Sequence, residues 1–84
     1  MKRLVEDTES GLESLLGQRV TFFGLNYIYT GKLAGVNDKF VLLEDPAIVY
    51  ETGSFENKDW ADAQDLPNEL YVMLGTVEAF GLVK

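Results

Sequence analysis

The side chains that could do chemistry here are carboxylates, lysines, tyrosines and hydroxyls, because the chain has neither histidine nor cysteine. That removes the commonest general base, the commonest zinc ligand, thiolate nucleophiles and disulfides together. Glu56, Asp59, Asp62 and Asp65 recur about every third residue around Trp60. Their spacing departs from the alternating oxygen pattern with a following glycine that calcium loops use. They read as solvated charges, and no metal or other cofactor is expected. There is no P-loop and no nucleophile elbow. A carboxylate pair for glycoside chemistry needs a deep cleft, which 84 residues hardly build. The composition therefore points to a noncatalytic protein.

Binding chemistry is better represented. Tyr27, Tyr29 and Phe40 lie near Lys32 and Lys39 around one predicted hairpin, a combination that can stack bases and meet phosphate. Tyr29 alternates with Gly31 and Leu33 and is expected to point into a core. Lys39 and Phe40 flank a tight turn at Asn37-Asp38-Lys39, from which side chains can project toward a partner. The 7 Lys and Arg against 14 Asp and Glu give a net charge of -7, the wrong sign for phosphate binding by the whole surface. Any nucleic-acid site must be local.

These residues have to be positioned by one small domain. Residues 1–9 read as a charged, frayed arm. Ser10 stands three residues before Glu13, and Leu12, Leu15 and Leu16 recur at helical intervals up to Gly17, which predicts a two-turn amphipathic helix. From Arg19 the period becomes two. Strands are expected over 19–23, 27–36 and from Phe40, the last bent or ended at Asp45-Pro46. Gly31 and Gly35 should let the second strand coil sharply. Residues 53–67 form an acidic insertion, in which Asn57 could cap a turn or two of helix with Trp60, Ala63 and Gln64 on its inner side. Leu70–Leu74 and Thr76–Val83, expected as a final hairpin joined at Gly75, complete a count of one helix and five strands.

The last two strands leave few positions polar. Tyr71, Val72, Met73, Val77, Ala79 and Phe80 are expected to be covered by strand pairing with the next copy in a closed homo-oligomeric ring. The alternative is that they fold wholly into the chain's own core. No apolar run approaches the roughly 20 residues of a membrane span, and 1–10 lacks a secretory h-region, so a cytoplasmic protein is expected.

A helix followed by LLGQRVTFF (Leu15–Phe23), YTGKLAGVNDKFVLLED (Tyr29–Asp45) and LGTV (Leu74–Val77) resembles the Sm/LSm family and its bacterial relative Hfq, over roughly Ser10 to Lys84. Tyr29, Gly31, Leu33 and Gly35 sit where the first Sm signature has an aromatic, a glycine, an aliphatic and a small residue. The chain departs from that pattern at three places. Asn37 replaces the usual aspartate, Phe40 or Val41 stands where the uridine-contacting asparagine would, and Leu74 replaces an arginine or histidine. The resemblance implies an all-β fold, a short N-terminal helix before a five-stranded, strongly bent antiparallel SH3-like or Sm-like barrel. It also implies a ring whose pore is lined by the turns around Asn37 and Gly75. The function expected from it is noncatalytic binding of single-stranded nucleic acid, RNA foremost, in RNA or DNA processing. Bases would stack on Phe40, Asn37 and Thr76 would hydrogen-bond their edges beside Gly75, and Lys39 would meet phosphate. The competing expectation is an adaptor ring holding protein partners, which the acidity and Leu74 favour.

Overall fold

The computed structural model describes residues 11–84; the expected 1–9 arm and the Ser10 cap lie outside them. An alternating pattern of apolar and small residues from Arg19 onward builds six strands in one mostly antiparallel sheet. They are β1 (Arg19–Gly24), β2 (Ile28–Val36), β3 (Phe40–Glu51), β4 (Asp62–Asp65), β5 (Leu70–Met73) and β6 (Val77–Gly81). The order across the sheet is β4-β3-β2-β1-β6, and β5 also pairs with β3. The sheet is open, because β5 and β6 do not pair with each other.

The middle of the sheet is built as the sequence suggests. Val20, Phe22, Leu33, Val41 and Leu43 are fully buried on one face, with Val72 completing the cluster. Burial of each such side chain stabilises the fold by roughly 1.5–3 kcal/mol. A Cβ on Gly31 would stand 2.9 Å from the Leu43 Cβ and 3.2 Å from both the Glu44 oxygen and the Pro46 Cα. Glycine is thus what allows β2 and β3 to coil closely here. The β2–β3 register slips beside it, between Thr30 and Lys32, and Asp45 takes a left-handed φ of 48° on the opposing strand. The Arg19 guanidinium donates to the Asp45 carbonyl at 3.0 Å and ties down that bend. Beyond the bend β3 continues, so its two halves meet different partners: Phe40–Leu43 pairs with β5 and Ala47–Glu51 with β4.

Four expectations need correction. The N-terminal helix is a four-residue 3-10 turn, Leu12–Leu15. The reason lies in the sheet: the Gly17 N–H donates to the Leu33 carbonyl at 2.8 Å and the Leu33 N–H to the Gln18 carbonyl at 2.9 Å, so β2 captures the backbone that would have continued a helix. Leu12 and Leu15 still pack on the core. The acidic insertion carries a strand where a helical turn was expected, because Ala63 and Gln64 pair with Val49 and Ile48 and satisfy the edge of β3. Among the described residues the sheet thus has six strands where five were expected. Finally, the last two strands are no hairpin. A second 3-10 turn, Leu74–Thr76, separates them and carries the chain from the β3 side to the β1 side.

Candidate functional site

Three turns meet through backbone hydrogen bonds. In the first, the Gly24 N–H donates to the Tyr27 carbonyl at 2.9 Å and closes the β1–β2 connection over Leu25 and Asn26. In the second, between β2 and β3, the Asn37 Oδ1 accepts the N–H groups of Lys39 and Phe40, both at 2.8 Å. The third is the Leu74–Thr76 turn, which bridges the other two. Its Leu74 N–H donates to the Lys39 carbonyl at 2.8 Å, and its Thr76 carbonyl accepts the Leu25 N–H at 3.1 Å. Gly24 permits this approach, since a Cβ there would lie 3.0 Å from the Tyr27 oxygen and 3.2 Å from the Thr76 oxygen.

The sequence-derived site residues divide within this junction. Asn37, Lys39, Gly75 and Thr76 are exposed, whereas Phe40 is half-buried. The Phe40 ring meets Tyr71 edge-to-face, with centroids 5.3 Å apart. The Asn37 acceptor is engaged by its own turn, and the Thr76 hydroxyl donates to the Met73 carbonyl at 2.9 Å. The space over Gly75 is open: a Cβ there would meet nothing within 4 Å. Lys39 therefore sits beside the bridging turn with its side chain in water.

The residues chosen for the interface divide as well. Tyr71 is 60% exposed, Met73 55% and Phe80 45%, and Ala79 is exposed beside Phe80. Val72, at 4%, belongs to the core, and Val77 packs against it. Alternation along β5 explains the split, because Val72 points opposite to its neighbours. The Phe80 ring stacks on Phe22 at 6.0 Å, which keeps part of it covered.

The sequence reading missed a cleft of about 290 Å³ lined by Gly24, Leu25, Asn26, Tyr27, Tyr29 and Thr76. The Tyr27 and Tyr29 rings stand 6.2 Å apart and tilted by 46°, and Tyr27 is 52% exposed. No ionisable acid or base other than the tyrosine hydroxyls lines it. Its size lies at the lower end of ligand pockets, roughly 300 Å³. Parity assigned Tyr29 to the core, and Tyr29 does pack on the core, yet its ring also forms a wall of this cleft. The legible signal was the two tyrosines at alternate positions beside a short turn containing Asn26. A second cleft of about 310 Å³ is different in kind, being bordered by Glu44, Asp45 and Glu69 with Pro46, Leu66, Pro67 and Asn68.

Among the described residues, no group of three or more carboxylates could hold a metal ion, and no helix is long and apolar enough to cross a membrane. No family model, curated protein or solved structure matches the chain. Function must be argued from the junction and its cleft.

Proposed function

We propose that the protein is a noncatalytic, self-assembling Sm-like module that binds single-stranded nucleic acid, RNA foremost, in a cytoplasmic process handling RNA or DNA. The observation that carries this reading is the uncharged tyrosine cleft beside the three-turn junction. Stacking on an aromatic face accepts any base and contributes roughly 1–3 kcal/mol per nucleotide. Asn26 and Thr76 bring hydrogen-bonding groups to the same cleft, and Lys39 lies across the bridging turn to meet backbone phosphate. The stacking role expected of Phe40 passes in this reading to Tyr27, because Phe40 is engaged with Tyr71.

Two features support the Sm-like part. The second strand coils at Gly31, and the turns around Asn37 and Gly75, expected to share a pore, are joined by the Lys39–Leu74 hydrogen bond. Self-assembly is supported by the edges. The outer sides of β5 and β6 have no partner strand among the described residues and display Tyr71, Met73, Ala79 and Phe80. The β4 edge carries Asp62 and Asp65, whose charges oppose strand addition. Pairing β5 of one copy with β6 of the next is heterologous, and it closes into a ring when the rotation allows. Repeating the cleft around a ring would raise weak affinity by avidity. The charge of -7 per subunit opposes a polyanion at distance, but the screening length of about 8 Å at physiological salt leaves a local site effective.

The test is a titration of labelled oligo-U and oligo-A at low and moderate salt, with the oligomer measured by sedimentation. The expected result is an assembly larger than a monomer that binds saturably. Tyr27→Ala should weaken binding by roughly 5- to 150-fold, equivalent to 1–3 kcal/mol, without lowering the melting temperature. A monomer at high micromolar concentration would overturn the assembly. Intact oligomers that bind neither oligonucleotide at either salt would favour an adaptor ring for protein partners, the reading supported by Leu74 at the junction and by 14 acidic residues against 7 basic ones.

A further inference from the structure

The acidic excursion after β3 is folded around one positive charge. The Lys84 Nζ donates to the backbone carbonyls of Thr52, Ser54 and Asp59 at 2.8, 3.0 and 2.9 Å. It also lies 4.6 Å from the centroid of Trp60 and 5.6 Å from that of Phe55, whose rings meet edge-to-face at 6.4 Å. We propose that residues 52–60 form a receptor for a primary ammonium group, filled in this protein by its own Lys84.

The chemistry of the donor set argues for that ligand class. An alkylammonium has three N–H donors and no acceptor, and the excursion presents three carbonyl oxygens at charge-assisted hydrogen-bond distances. Two aromatic faces then attract the same cation through their quadrupoles. The backbone is shaped to bring the acceptors together: Gly53 takes a φ of 67°, and the Asn57 N–H closes a turn on the Ser54 carbonyl at 3.1 Å. The acceptors are backbone carbonyls although Glu56, Asp59 and Asp62 are close in sequence, so recognition rests on geometry while the carboxylates supply an attractive field. A guanidinium offers a planar fork of donors that does not match such a cradle, and a quaternary ammonium offers none. The cage also joins distant parts of the chain, fastening the segment after β6 to the excursion between β3 and β4. It is independent of the nucleic-acid reading, which rests on other residues.

Trp60 is the chain's only tryptophan and reports on the cage directly. Lys84→Met keeps an apolar stem and removes the cation. In the full chain it should shift the Trp60 emission to longer wavelength, and added n-propylammonium chloride should reverse that shift saturably. Tetramethylammonium chloride and potassium chloride at the same ionic strength should not. An unchanged spectrum in the variant would overturn the proposal, and so would equal reversal by all three salts. In the unsubstituted protein, proton exchange from the Lys84 ammonium observed by nitrogen-15 NMR should be slowed relative to the exposed Lys39. An ammonium exchanging as fast as Lys39 would also overturn the cage, whether or not the variant folds.

Discussion

The two ends of β2 carry turns of similar length, both hydrogen-bonded to the Leu74–Thr76 turn, and they differ in what their side chains do. After Val36, the side chains are engaged: the Asn37 Oδ1 takes two backbone N–H groups and Phe40 leans on Tyr71. Before Ile28, the turn hands its outward hydrogen bond to Thr76 and leaves Tyr27 half in water over an open cleft. The sequence drew attention to the first because it resembles a recognised signature. The structure makes that turn a fixed support and leaves the second with groups free to meet a ligand. A self-satisfied turn has a defined shape, and the same satisfaction occupies the atoms that would have read a base.

The largest test of this contrast is Phe40→Ala. Full burial would make the truncation cost about 3–5 kcal/mol, and a half-buried ring should cost about 2. In a domain of this size that lowers the melting temperature by roughly 8–16 °C. Oligonucleotide affinity, measured well below the transition, should stay within about twofold of the unsubstituted protein, because the ring serves Tyr71 and the support. A thermal scan that does not move, combined with a large loss of affinity, would return Phe40 to the binding face and erase the contrast between the two turns.

Asn37→Ala comes next. It removes the acceptor of two exposed backbone hydrogen bonds, and the net loss should be about 1 kcal/mol, visible in chemical denaturation. Asn37→Asp keeps an acceptor at the same atom and should preserve most of the stability. If Asn37 read base edges through its amide instead, both substitutions would weaken oligonucleotide binding equally while leaving stability alone. The pair of variants therefore sharpens the distinction between a strut and a reader.

How far the sequence reaches follows from the range of the forces involved. β1 and β2 could be read nearly to the residue, since their alternation and bounding turns are local and Gly31 announces the bend. The turn at Asn37 was legible for the same reason, as its Asx hydrogen bonds span two and three residues. β4 could not be read: DAQD has no strand pattern of its own and is extended because β3 presents an edge to it. The lost helix at Leu12–Leu15 is a similar case, decided by Leu33 from across the fold. The Tyr27–Tyr29 cleft escaped a parity argument because one ring can serve two environments, resting on the core while walling a surface cavity. The Lys84 cage spans 25 to 32 residues of separation and leaves no periodic trace.

The smallest expected effect belongs to Lys39, and it separates the two turns by a different coordinate. Its backbone carbonyl is part of the support through Leu74, whereas its exposed side chain is the cation nearest the bridging turn among the residues chosen from the sequence. Lys39→Ala leaves the backbone hydrogen bond in place, so the melting temperature should move by less than about 0.5 kcal/mol would produce, as for most surface changes. If the ammonium meets one phosphate per subunit, its loss should lower affinity slightly at moderate salt. The plot of log affinity against log salt should flatten by about 0.7 for each single-strand contact removed. Tyr27→Ala should leave that slope alone, since stacking releases no counterion. Affinities measured across a salt series for both variants thus assign the two contributions separately. An unchanged slope in Lys39→Ala would confine this turn to its supporting role, with binding left to the tyrosine cleft alone.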